Sequence, residues 1–232
     1  MKLRFLLLAI ICSFHLNAQT SGHVTYKSEI VSQMIDTAKI KNDNVKQMML
    51  QTVQKMKRQM PFITYELKFT KDKSVFNRKK MMSVDNIIDY EDIAGFSDAN
   101  GEFFTSVNKG MRLRSFKSRS KEYIIKSNLP EWDIINEKKD VLGYNCMKAI
   151  TKKQLDNGNY INVVAWFSKD LLYNFGPKEF IGLPGLVLEV EERGMKFYAT
   201  NIRLNNKNYK IKLPDVSKSI SRKEYLSQSF YR

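Results

Sequence analysis

Histidine and cysteine are almost missing from this chain, at two of each in 232 residues. That shortage excludes most of the usual catalytic kits. A Ser-His-Asp or Cys-His arrangement needs an imidazole to take the nucleophile's proton. A zinc site draws on several His or Cys ligands. Glycine (ten) and proline (five) are also sparse, and no P-loop, Gly-x-Gly-x-x-Gly or His-Glu-x-x-His pattern occurs. Beyond the N-terminus no apolar run approaches the length of a transmembrane helix. Acidic residues are outnumbered, 24 Asp plus Glu against 39 Lys plus Arg, for a net charge of +15. No catalytic residue, metal site or cofactor is assigned.

The N-terminus has the layout of a secretory signal. Lys2 and Arg4 form a positive n-region, and Phe5 to Phe14 forms an apolar stretch too short to span a bilayer. Asn17-Ala18-Gln19 offers cleavage after Ala18. Residues 1–18 are therefore expected to be a signal peptide, and 19–232 a single β-rich domain. Cys12 lies inside the apolar stretch with the bulky Ile11 before it, which does not suit a lipobox. Cleavage removes Lys2 and Arg4 and lowers the net charge to +13. It also leaves one imidazole, His23, expected at the surface, and one thiol, Cys146, expected to be buried and inert.

What the chain has in quantity is apolar and aromatic residues, 43 % and 12 %, enough for a sizeable core. Most of it has a period of two. Ile63, Tyr65, Leu67 and Phe69 alternate with Thr64, Glu66, Lys68 and Thr70, the clearest strand in the sequence. Further strands are expected at 23–30, 74–78, 102–107, 111–117, 121–127, 132–136, 143–152, 159–168, 185–193, 195–204 and 207–212. Asp98-Ala99-Asn100-Gly101, Asn108-Lys109-Gly110 and Asp156-Asn157-Gly158 mark turns. Serial strands with tight turns imply an antiparallel meander.

One helix interrupts the pattern. From Asn42 to Met60, Val45, Met49, Val53, Met56 and Met60 recur at helical spacing until Pro61 stops the run. Ser221 and Glu224 have capping-box spacing for a second, short helix. The expected fold is mainly β: a single curved antiparallel sheet or half-barrel, one inserted amphipathic helix and a short C-terminal helix. The acidic residues Asp85, Asp89, Glu91, Asp92 and Asp98 lack the spacing of a calcium loop and are expected on a solvated edge. Met48, Met49, Met56 and Met60 suit packing or an adaptable apolar surface better than copper.

The motif that stands out is Gly176-Pro177-Lys178-Glu179-Phe180-Ile181 followed by Gly182 to Val187, which reads GLPGLV. It resembles the signature of the GLPGLI family of exported bacterial proteins, with Val187 in place of the last Ile. Trp132, Val141-Leu142-Gly143-Tyr144-x-Cys146-x-Lys148-Ala149, and Ala165-Trp166-Phe167-Ser168 ahead of Gly176-Pro177 resemble the family as well. The resemblance implies a periplasmic or envelope-associated protein with no assigned biochemical activity, some members sitting near outer-membrane TonB-dependent transporters. It supplies no catalytic residue.

From the residues themselves, Gly182, Pro184 and Gly185 form a rigid turn with Leu183 and Leu186 dipping into the core. The alternative is that this loop rims a binding groove. The candidate ligand-binding residues are then Trp166, Gly176, Pro177, Phe180, Gly182, Leu183, Pro184, Gly185 and Leu186, with Phe175 beside them. Export removes nucleic acid as the partner for the positive charge. The partners expected are an apolar ligand, an envelope protein or an anionic lipid surface. The leading function is a non-enzymatic binding or accessory module in the periplasm or envelope. The alternatives are a carboxylate-dependent hydrolase or a purely structural envelope-surface protein.

Overall fold

A computed structural model describes residues 21–31, 40–79, 93, 97–118, 120–155, 157–205 and 209–230. The signal segment, Met81, Met82, Asp85, Asp89, Glu91 and Asp92 lie outside the described residues. Twelve strands form a single sheet: β1 (Ser21–Ile30), β2 (Tyr65–Thr70), β3 (Lys73–Arg78), β4 (Glu102–Ser106), β5 (Met111–Ser118), β6 (Lys121–Ser127), β7 (Asp133–Val141), β8 (Tyr144–Gln154), β9 (Tyr160–Ser168), β10 (Leu186–Glu192), β11 (Met195–Leu204) and β12 (Ser219–Ser221). Their spatial order is β12-β6-β5-β4-β3-β2-β1-β11-β10-β9-β8-β7. Every pairing is antiparallel except β12 on β6, which is parallel. Two meanders thus meet at the centre, where β1 pairs with β2 on one side and β11 on the other.

This order dictates curvature. β6 and β7 are consecutive in the chain, yet ten strand spacings separate them in the sheet. Laid flat, that is ~48 Å at ~4.8 Å per strand. The connection from Ser127 to Asp133 reaches only about 20 Å when fully extended. The sheet must therefore curl until its two wings face each other. Register shifts at Thr25/Tyr26, between Val187 and Glu189 and between Ile135 and Lys138 supply local bending, as bulges do.

The hollow of the curl is filled with the protein's own side chains. Tyr26, Tyr65, Leu67, Phe69, Phe76, Phe167 and Phe197 are fully buried. Tyr65 stacks on Phe76 at 5.6 Å and meets Phe197 edge-on at 5.1 Å. A smaller core lies on the other face of the first wing. There Phe104, Met111, Leu113 and Ile124 are covered by Ile211, Leu213 and Val216. This corrects the expectation of a strand at 207–212. The described part, 209–212, belongs to no strand, and its alternation records packing of Ile211 and Leu213 on the sheet. The edges are blunted, since β12 has three residues and β7 carries five charges among nine.

Helix α1 (Asp43–Gln59) starts where Asn42 accepts from the Val45 N–H at 3.1 Å, and a 3₁₀ turn beginning at Met60 and containing Pro61 ends it. Met56, Gln59 and Met60 are buried, whereas Val45, Met48 and Met49 are 36 %, 62 % and 39 % exposed. The helix is anchored at its C-terminal end, and Lys27 of β1 donates to the Pro61 carbonyl there. Helix α2 (Arg222–Phe230) has the capping box: the Ser221 N–H donates to Glu224 at 2.6 Å, and the Glu224 N–H to the Ser221 hydroxyl at 3.2 Å. Tyr225 seats it on Phe116 and Tyr123, with ring centroids at 5.3 and 4.9 Å.

Gly185 is required for close approach. A Cβ there falls 2.1 Å from the Ser168 carbonyl oxygen, a backbone atom that cannot swing away. Gly185→Ala is expected to lower stability by about 1–3 kcal/mol. Gly158→Ala, strained only by its φ of +83° with open space around it, is expected to lose about 1 kcal/mol. Urea unfolding midpoints of the two variants check the order.

Candidate functional site: the motif loop and its ion cluster

The motif lies in the loop 169–185 between β9 and β10. The loop satisfies much of its own backbone. The Leu186 N–H donates to Leu171 O at 2.9 Å, Val187 to Phe175 O at 2.9 Å and Gly182 to Asn174 O at 3.2 Å. Tyr26 Oη fixes its base by donating to the Val187 carbonyl at 2.6 Å. Phe69 of β2 holds Tyr173 and Phe175, with ring centroids at 4.4 and 5.7 Å. Trp132, in the connection between the wings, donates to Ile181 O at 2.8 Å and meets Phe180 edge-on.

The structure brings eight of the nine expected site residues together, and mostly buries them. Gly176, Pro177, Phe180, Leu183, Gly185 and Leu186 are buried, while Gly182 (φ +93°) and Pro184 reach solvent. Gly182 uses the left-handed freedom foreseen for the motif glycines. Gly185 does not, and its role is the close approach to Ser168. Trp166 is the exception. Its β9 neighbours Ala165 and Phe167 are buried in the core, so Trp166 faces the opposite side of the sheet. There Lys139 and Lys148 lie 4.5 and 5.9 Å from its ring.

Charged residues to which the sequence reading gave no place in the site gather against the same loop. Lys178 is fully buried and pairs with Glu192 of β10 while also donating to Ser97 O at 3.1 Å. Lys153 of β8 pairs with Glu192 at 2.8 Å, Glu179 at 2.9 Å and Asp98 at 3.0 Å. Arg114 of β5 pairs with Asp98 at 2.5 Å, and Arg112 donates to Glu179 O at 2.9 Å. Asp98 and Arg114 belong to one wing, Lys153 and Glu192 to the other, and Lys178 and Glu179 to the loop between them. The cluster therefore bridges the curl. Asp98 is thus a half-buried ion-pair partner, correcting the solvated edge expected for it.

The groups titrate accordingly. Burial alone raises the carboxyl of Glu179, but Lys153, Lys178 and Arg112 outweigh it and bring the pKa down to about 2. Asp98 is likewise pulled below the carboxylate range, because Lys178, Lys153 and Arg114 outweigh burial. Lys153 is raised because Glu179, Glu192 and Asp98 outweigh burial. Asp98 and Lys178 both sit in left-handed backbone, at φ +49° and +55°. That conformation is uncommon for non-glycine residues and is held where surrounding contacts over-determine it.

Two further sequence expectations have definite places. Cys146 is fully buried, and burial pushes its thiol up to about 11, so it is a poor nucleophile. His23 is not a terminal surface residue. It lies in β1 at the centre of the sheet, half-buried, 3.5 Å from Glu66. Desolvation lowers its pKa, so it is neutral at pH 7. Among the described residues no group of three or more His, Cys, Asp or Glu is arranged to hold a metal ion.

The depressed carboxyls of Glu179 and Asp98 stabilise the fold above their unfolded values, and that contribution is lost as pH falls through the folded ones. For Glu179 the window runs from 4.5 down to about 2. The raised Lys153 acts in the opposite sense: its contribution is full below 10.5 and declines above. Urea midpoints measured against pH are expected to be level just above neutrality, to ease down below about pH 6.5 as the desolvated His23 resists protonation, and to drop further below about pH 4.5. Glu179→Gln is expected to flatten part of that drop.

Residues 156–189, which contain the motif, match the model of a family described as a protein of unknown function (Porph_ging). No curated protein matches the sequence. Two crystal structures of PNGF-II, in space groups C2 and P21, are similar in fold, each with a TM-score of 0.51 at 15 % identity over 91 % of this chain. The match covers 33 % of the PNGF-II chain, so the present chain spans about a third of the length of that protein. At this identity the likeness is one of fold alone.

Proposed function

We propose that the protein is an exported, non-enzymatic accessory module of the cell envelope that works by docking on an envelope protein through α1. The observation that carries this reading is the apolar stripe of α1. Met56 and Met60 are buried on the body, while Val45 and Met49 continue the same stripe into solvent, with Met48 exposed beside it. Lys46 and Lys55 flank it, so the complementary surface is an apolar groove with an acidic rim. Methionine suits such contacts because its side chain adapts to irregular surfaces.

The carrier form of the reading, in which the curved sheet shields an apolar ligand, has less support, because the hollow is filled by the aromatic core and the motif loop. Export is supported by the charged and apolar pattern of residues 2–14. Cleavage after Ala18 would leave every described strand whole, since the first of them, β1, begins at Ser21.

A photo-crosslinker placed at Met48 in the native host is expected to capture one envelope protein. Met49→Glu is expected to weaken that capture at least roughly tenfold, an effect of ~1.4 kcal/mol, without shifting the melting temperature. Crosslinks only to lipid, or a protein crosslink that Met49→Glu leaves intact, would contradict the reading.

A further inference from the structure

A cationic groove lies on the first wing, apart from the motif loop and from α1. It encloses about 400 Å³ and is lined by Lys73, Lys109, Lys210, Ile211, Lys212 and Leu213. Its construction follows from register. Lys73 opens β3 opposite Ser106, the last residue of β4, and Ser106 pairs with Met111 of β5. Lys73 and the 107–110 turn that carries Lys109 therefore share one end of the sheet. The segment 209–213 is held beside them because Ile211 and Leu213 pack on the outer core of Phe104, Met111 and Leu113. Lys210 and Lys212 alternate with those anchors and are exposed. Four lysines from three separate segments thus line one concavity.

None of the four takes part in an ion pair among the described residues. No carboxylate lines the groove, and the nearest acidic residue in sequence, Asp72, accepts from the Thr70 hydroxyl at 3.2 Å. Scattered surface lysines keep apart and remain hydrated. Four that line one groove with no carboxylate in it repel one another, a repulsion that a bound multivalent anion relieves. Lysine is a flexible point charge suited to phosphoryl oxygens. The floor of Ile211 and Leu213 adds an apolar strip beside the charges.

We propose that this groove binds a ligand carrying two or more phosphoryl groups, either free in solution or as the head group of an anionic lipid. The proposal is independent of docking through α1, because no residue of that helix lines the groove.

The test uses the whole mature chain and two probes: inorganic pyrophosphate by calorimetry, and phosphatidylcholine vesicles with and without cardiolipin, whose head group carries two phosphoryl groups, by co-sedimentation. The groove variant combines Lys73→Gln, Lys109→Gln, Lys210→Gln and Lys212→Gln. A control variant with the same net charge combines Lys117→Gln, Lys138→Gln, Lys152→Gln and Lys223→Gln. Binding to at least one probe is expected, weakening as salt is raised. The groove variant should lose roughly tenfold or more in affinity, in line with about 1 kcal/mol per lysine near an anionic surface. The control should keep its affinity, and replacing the four groove lysines by arginine should preserve binding. Pyrophosphate binding assigns a soluble phosphorylated ligand, and vesicle binding alone assigns a lipid head group. No binding to either probe, or an equal loss in both glutamine variants, would overturn the site.

Discussion

A short connection sets the shape of this protein. Residues 128–132 must carry the chain from β6 to β7, strands that stand near opposite ends of a twelve-stranded order. An extended chain of that length covers less than half the width of the flat sheet. Curling is the only arrangement that satisfies both the pairing order and the connection. It brings two wings face to face, and what lies between them follows from the space left. The aromatic residues of β1, β2, β3 and β11 fill the middle, and the loop 169–185 fills the remainder, tied to the connection itself through Trp132 and Ile181.

Packing alone would leave the two wings free to choose their spacing. The ion cluster fixes it. Lys153 reaches three carboxylates at once, one from the opposite wing, one from the loop and one from β10, two strands away in its own wing. Such a cluster has to be complete to be worth having. A buried charge that loses its partner is strongly destabilising, whereas a satisfied one is close to neutral against an apolar replacement and serves to specify a single arrangement. The left-handed backbone at Asp98 and Lys178 has the same source, because each residue is held by contacts on the facing elements. The GLPGLV loop is in this light the keystone of a closed sheet, with only Gly182 and Pro184 left at the surface.

Much of this was legible in the sequence, and the gaps have physical reasons. Period two located the strands, since each has one face in a core, and the caps of both helices were visible as Asn42 and Ser221 with Glu224. Alternation reports one-sided burial and not pairing, which is why 209–212 resembled a strand while only lying on one. β12 was invisible because Ser219–Ser221 has a single apolar residue and pairs in parallel with a partner far away in sequence. Trp166 was placed with the loop by proximity in sequence, and strand parity sends it to the other face. The ion cluster had a signal that went unused: Lys153 and Glu192 stand at inward positions of β8 and β10, in step with Thr151 and Val190. A charge on the buried parity of a strand calls for a partner across the core.

The central claim is that the motif loop and its ions lock the two wings together. Hydrogen exchange on a Lys178→Met variant, compared with the parent protein at neutral pH, tests it most directly. Lys178 is buried and bonded to Glu192 and to Ser97 O, so its loss should be felt on both sides of the curl. The account predicts that β4 and β5 on one wing and β8 to β10 on the other lose protection together, by amounts that match the fall in global stability. Loss of protection confined to residues 169–185, with both wings unchanged, would contradict it.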